Sequence, residues 1–148
     1  MLTVLTPVPG TAVAMSEVDD PVFAQGMVGP GVAVRPAPRP QEAVAPIAGR
    51  VVKLHPHAFL VLGEGGRGVL VHLGIDTVKL DGAGFATLVE EGAEVEPGTP
   101  VIRWDPAEVE RQGMSAIVPV VALEARADAV ADPAAGEVAA GDTLFRWA

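Results

Sequence analysis

The chain repeats itself, and that constrains its fold more than any other feature. Val95-Glu96-Pro97-Gly98-Thr99-Pro100-Val101-Ile102-Arg103-Trp104 matches Val138-Ala139-Ala140-Gly141-Asp142-Thr143-Leu144-Phe145-Arg146-Trp147 in residue type at most positions. Pro7-Val8-Pro9-Gly10-Thr11-Ala12-Val13 is echoed by Pro46-Ile47-Ala48-Gly49-Arg50-Val51-Val52. Each copy is a turn with glycine feeding a short strand. Paired copies of this kind predict two similar β motifs packed across a pseudo-symmetric core. Seventeen Gly, fourteen Pro and many Val runs suit short strands and tight turns better than helices. The expected fold is all-β, an antiparallel β-sandwich or barrel-sandwich of duplicated motifs with one or two short helices. At 148 residues the chain is long enough for a real core, and residues 1–148 read as a single domain. Tyr is absent and Phe and Trp are few, so aliphatic side chains must build that core.

One helix is signalled at Asp105-Pro106-Ala107-Glu108, which offers an N-cap, Pro at the first helical position and an early acid; Gly113 can end it. A second short helix is expected between Ala83 and Glu91, before Gly92. Arg35-Pro36-Ala37-Pro38-Arg39-Pro40 reads as a surface loop, too short to separate domains.

Composition excludes several function classes. Cysteine is absent, which removes disulfides, thiol catalysis and thiolate metal sites and fits a reducing compartment. A formal charge of −9 opposes nucleic-acid binding, which needs a basic contact surface. No Lys or Arg precedes Arg35, so the charged start of a secretory signal is missing. No apolar run approaches the roughly 18 residues that span a bilayer. The chain reads as cytoplasmic, without membrane insertion, and is expected to be a monomer.

The residues able to do chemistry cluster around a predicted hairpin. Phe59-Leu60-Val61-Leu62 and Gly68-Val69-Leu70-Val71 flank Gly63-Glu64-Gly65-Gly66. If those four residues are the loop, His57 falls directly opposite His72, on the same face with Cβ atoms roughly 4.5–5.5 Å apart. A one-residue slip would send the two rings to opposite faces. A lone strand histidine is most often a satisfied polar residue, whereas a facing pair could hold a metal, shuttle a proton or receive a phosphoryl group. Asp76 lies four residues after His72, where its carboxylate would favour an imidazolium, or where Asp76-Thr77 would simply cap a turn. A carbonyl at Gly74 could accept from Nδ1–H of His72 and leave Nε2 as the nucleophile. No GxxxxGK[ST] phosphate loop and no GxSxG elbow occur. Lys53 and Lys79 lack the symmetric hairpin context of a biotin or lipoyl attachment site. Receiving a group fits this inventory better than activating one from scratch.

His72-Leu73-Gly74-Ile75-Asp76-Thr77-Val78-Lys79-Leu80-Asp81-Gly82-Ala83-Gly84-Phe85 resembles the signature of the glucose-type IIA component of the bacterial phosphoenolpyruvate-dependent sugar phosphotransferase system, H-x-G-I-D-T-V-x-L-x-G-x-G-F. The likeness extends to Glu91-Gly92, to Val95 through Gly98, and to His57-Ala58-Phe59 at the family's fifteen-residue separation. It also takes in Asp20-Pro21-Val22-Phe23-Ala24-Gln25-Gly26-Met27-Val28-Gly29 and Ala45-Pro46-Ile47-Ala48-Gly49. The resemblance implies a phosphoryl relay without cofactor or metal. His72 would be phosphorylated on Nε2 by the phosphocarrier HPr and would pass the group to a IIB domain. His57 would stabilise the phosphoryl oxygens, Asp76 would sit close by, and the Gly74 carbonyl would orient His72. Phe23, Val22, Met27 and Val28 would form an exposed apolar docking patch. Glucose or N-acetylglucosamine would be the transported sugar. The chain departs from the family pattern at His55, where Thr is usual, and at Pro30, where Asp is frequent. It also begins almost at its first strand, which argues against a membrane-binding N-terminal tail.

Two other readings compete. His55-Pro56-His57 reads as HxH and His72 to Asp76 as HxxxD, elements of some β-rich zinc hydrolases, though those carry them in the reverse order. A regulatory binding module, with regulatory protein targets that depend on the state of His72, could coexist with the relay.

Overall fold

The computed structural model describes all 148 residues. Fourteen strands are present. The first seven are β1 (Leu2–Leu5), β2 (Gly10–Ala14), β3 (Gly31–Pro36), β4 (Gln41–Val44), β5 (Gly49–His55), β6 (Ala58–Leu62) and β7 (Gly68–His72). The rest are β8 (Phe85–Thr87), β9 (Glu94–Val95), β10 (Pro100–Trp104), β11 (Val118–Ala122), β12 (Val130–Ala131), β13 (Gly136–Val138) and β14 (Thr143–Trp147). They form one eight-stranded sheet, ordered β13-β2-β3-β11-β7-β6-β5-β9, and two three-stranded sheets, β1-β14-β12 and β4-β10-β8. Every pairing is antiparallel. The expected all-β architecture is the one found.

The repeats read from the sequence become a two-fold pseudo-symmetry of this topology. Exchanging β1 with β4, β2 with β5, β3 with β6 and β7 with β11 leaves the order of the large sheet unchanged, provided β9 also exchanges with β13. The small sheets then swap, β14 with β10 and β12 with β8. Registers agree too: Leu2 faces Trp147 as Gln41 faces Trp104. The axis passes between the two central strands, where Val71 faces Val120. Gly10 and Gly49 are equivalent under it. A Cβ at Gly10 would run into the carbonyl oxygen of Arg35, and one at Gly49 into that of Leu62. The shared glycine of the two copies is therefore required by close backbone approach.

Burial separates the two faces of the central strands. Val69, Val71, Val118 and Val120 point into a core of 26 buried residues that includes Phe59, Trp104, Leu144 and Phe145. Alternate positions point the other way, where Val18, Phe23, Ala33, Ile75, Ile117 and Val121 make a smaller cluster, with Leu70 packed on it. His72 follows Val71 and therefore projects on the side of this smaller cluster.

Two α-helices occur. The expected one is α2 (Pro106–Arg111), in which the Asp105 carboxylate accepts from the Ala107 N–H at 3.0 Å and Gly113 follows with φ 83°. The other is not between Ala83 and Glu91 but is α1 (Pro21–Ala24), capped by Asp20, which accepts from the Val22 N–H at 2.8 Å. Segment 83–91 instead contributes β8, whose Phe85 faces Trp104 with ring centroids 6.0 Å apart and planes 13° from parallel. A nine-residue stretch is too short to hold a helix without tertiary support, and here tertiary contact rewards a strand on the free edge of β10. The proline-dense loop is also shorter than expected, because Arg35 and Pro36 are paired to β2 and only 37–40 turn.

Candidate functional site

The histidine hairpin is built by β6 and β7, but with a different register from the one expected. Ala58 faces His72 and Leu62 faces Gly68, with a five-residue loop closed by Gly63 N–H donating to the Arg67 carbonyl at 2.9 Å. His57 is thus not directly opposite His72. Strict alternation would then send the two rings to opposite faces. His57 escapes that rule because it precedes β6, in the two-residue turn Pro56-His57 that joins His55 to Ala58. Its carbonyl accepts from the Leu73 N–H at 2.7 Å, and its side chain is free to lean over the strand. The rings meet edge to face, centroids 5.1 Å apart and planes at 70°.

His72 is held from three directions. Its Nδ1 is 2.6 Å from the carbonyl oxygen of Gly74. A carbonyl can only accept, so Nδ1 carries the hydrogen and Nε2 keeps its lone pair in the neutral ring. The ring of Phe23, on α1, lies 5.4 Å from the His72 ring. The chain after His72 is pinned: Thr77 Oγ1 donates to the Leu73 carbonyl at 2.8 Å, and Ile75 N–H donates to the Ser115 carbonyl at 2.9 Å. Gly74 itself is buried with φ 80°, and a Cβ there would lie 2.7 Å from Thr77 Cγ2 and 2.9 Å from the Ser115 oxygen.

Charge around the pair is set mainly by burial. Desolvation lowers the His72 pKa below 6.5, opposed by the Gly74 hydrogen bond and then by Asp20 and Asp76. His57 is pushed down to about 4, first by desolvation and then by His72 and His55. Both rings are neutral near pH 7. Asp76 is exposed, in a left-handed conformation (φ 63°) that opens the short turn Thr77–Leu80. Asp20 acts on His72 more strongly than Asp76 does, a role the sequence reading missed. Its signal was present: Asp20-Pro21 is the same cap signature as Asp105-Pro106.

The apolar residues named from the sequence divide into two groups. Val22 is 41% and Met27 70% exposed, with Val78, two residues beyond Asp76, at 60%. Phe23 is not exposed: only 8% of it is, because it fills the small cluster and supports His72. Val28 is partly buried against the same cluster. His55 is exposed and lies offset-stacked on His57, centroids 5.8 Å apart. No three His, Asp or Glu side chains come together closely enough to hold a metal ion, which leaves the zinc-hydrolase reading without a ligand set. None of the three clefts is lined by a histidine. His57 and His72 are each partly exposed. No helix is long and apolar enough to cross a membrane.

A family model described as phosphoenolpyruvate-dependent sugar phosphotransferase system, EIIA 1, matches residues 2–127. The PTS system glucose-specific EIIA component of Oceanobacillus iheyensis is 40% identical over 122 residues, covering 81% of this chain and 73% of that protein. The PTS system N-acetylglucosamine-specific EIICBA component of Escherichia coli is 44% identical over 119 residues, 79% of this chain but 18% of that longer protein. Among solved structures, the glucose permease IIA from Mycoplasma capricolum superposes with a TM-score of 0.90 at 34% identity, covering 97% of this chain and 94% of that one. Fold, sequence and family pattern agree, and the chain belongs to the EIIA 1 family of the phosphoenolpyruvate-dependent sugar phosphotransferase system, as a phosphotransferase component that carries phosphoryl groups.

Proposed function

We propose that His72 is the phosphorylated residue, through Nε2, accepting the group from phospho-HPr in the cytoplasm and delivering it to the IIB domain of a sugar permease. The single observation that carries this reading is the Gly74 carbonyl on Nδ1 at 2.6 Å, which leaves Nε2 as the available nucleophile. The fused relative whose name includes the C and B components supports a IIB acceptor. The names of the relatives support glucose or N-acetylglucosamine as the sugar.

In the accepting step the Nε2 lone pair attacks phosphorus in line with the donor N–P bond. The donor imidazole leaves with the electron pair of that bond, and the hydrogen stays on Nδ1 of His72, hydrogen-bonded to the Gly74 carbonyl. No proton has to enter or leave. The phosphorylated ring is then cationic beneath a dianionic phosphoryl group, and Asp20 and Asp76 favour the ring charge. His57, neutral and edge-on at 5.1 Å, donates an N–H to a phosphoryl oxygen. Phosphoryl transfer is mostly positioning and charge stabilisation, and the covalent intermediate divides a long delivery into two short ones. Val22, Met27 and Val78 give the docking partners an exposed apolar footing.

The test is incubation with labelled phosphoenolpyruvate, enzyme I and HPr. The chain takes up label, and His72→Gln takes up none. Equal labelling of that variant would refute the assignment.

A further inference from the structure

His55 is the one imidazole for which the relay above has no use, yet its ring is in contact with the one that helps most. It closes β5, faces Ala58 across the tight turn, and is solvent-exposed. Two other imidazoles neighbour the His57 ring, His72 edge to face and His55 close to parallel. The His55 and His57 planes lie 25° from parallel at 5.8 Å, within the range of offset stacking. Where His72 has a carbonyl to fix it, His57 has this stack.

We propose that His55 is a positioning residue for phosphoryl transfer: its ring stacks on the His57 ring and keeps it edge-on to His72. The proposal rests on the carrier reading of the site. Two arguments support it. An aromatic ring stacked on His57 restricts a side chain that starts in a turn, and a donor misplaced by about 1 Å can cost on the order of 100-fold in rate. Secondly, like charges on neighbouring imidazoles disfavour each other, and His55 is among the causes that hold the His57 pKa down. The other groups facing this row are Asp20 and Asp76 beside His72. Glu91 accepts from the Leu54 N–H at 3.0 Å, next to His55. Asp81 precedes Gly82, which abuts Pro56.

The experiment compares the parent chain with His55→Ala and His55→Phe. Exposure at this position means that neither change disturbs the core. Histidine ring signals are titrated by NMR in the unphosphorylated proteins, and delivery of the phosphoryl group to a IIB domain is timed. The His57 midpoint rises in both variants, toward the ordinary imidazole value. Delivery falls about five-fold in His55→Ala, through lost orientation. His55→Phe keeps the stack, so its delivery falls less than that of the Ala variant. An unmoved His57 midpoint and an unchanged delivery rate in His55→Ala overturn the proposal. If the parent itself is never labelled by phospho-HPr, the carrier reading fails instead, and the titration still reports whether His55 acts on His57.

Discussion

The carbonyl oxygen of Gly74 accepts from Nδ1 of His72 at 2.6 Å, across a single intervening residue. That contact is possible because the backbone turns at Gly74 with φ 80°, bringing a main-chain group of the same loop back to the ring. It fixes the tautomer without any second side chain, and it ties the chemistry of His72 to a conformation that favours glycine.

Gly74→Ala is therefore expected to damage stability and activity together. The added Cβ meets Thr77 Cγ2 at 2.7 Å and the Ser115 oxygen at 2.9 Å, in a backbone conformation that L residues rarely adopt. A loss of about 2 kcal/mol or more is expected from urea denaturation. Among molecules that remain folded, acceptance from HPr should slow, since the carbonyl no longer meets Nδ1.

Asp20 has two roles that two substitutions separate. Asn caps a helix about as well as Asp, whereas Ala loses about 1 kcal/mol. Asp20→Asn should keep the melting temperature but lower the His72 titration midpoint, because the charge that raises it is gone. Asp20→Ala should lower both. NMR titration and thermal melting read the two effects independently, and an unmoved His72 midpoint in Asp20→Asn would contradict the electrostatic role.

His57 should make folding pH-dependent. Its folded pKa of about 4 is below the unfolded 6.5, so the unfolded chain binds more protons between those values. This contribution to stability is fully present above 6.5, falls as the pH drops toward 4, and changes no further below that. His57→Gln should flatten this part of a melting profile measured from pH 7 to pH 4. In phosphoryl transfer the same variant should accept label yet deliver it to IIB about 100-fold more slowly, the lower end of what one positioned hydrogen-bond donor contributes. Efficient delivery would show that His57 is not needed for the second step.

The pseudo-symmetry makes its own prediction. Gly10→Ala and Gly49→Ala each push a Cβ into a neighbouring carbonyl oxygen, of Arg35 and Leu62 respectively. Each should cost more than about 2 kcal/mol in denaturant unfolding, and the two losses should be similar because the sites are related by the exchange of β2 with β5.

Much of this molecule was legible before any coordinates, for reasons that particular residues make plain. The two Gly-to-Trp repeats announced the duplication because each copy must solve the same packing problem, and β10 and β14 do show the same alternation of buried and exposed positions. Asp105-Pro106 announced α2 because capping is a local matter. Elements decided at a distance were read wrongly. Phe85 belongs to a strand because Trp104 lies opposite, and no local preference of residues 83–91 could say so. The hairpin register was wrong by one residue because the loop closes on the Arg67 carbonyl rather than one residue earlier. The two rings meet nonetheless, since His57 sits in a turn where alternation does not apply. Phe23 was expected on the surface, but the short helix that Asp20 caps turns it inward under His72.

The central claim is that the Gly74 carbonyl reserves Nε2 of His72 for the incoming phosphorus. The most direct measurement is NMR of the phosphorylated chain labelled with nitrogen-15 in its histidines, which distinguishes the two ring nitrogens by their coupling to phosphorus. The account predicts one phosphohistidine, at His72, bonded through Nε2 and still hydrogen-bonded through Nδ1. Phosphorus on Nδ1, or on His57 or His55, would contradict it.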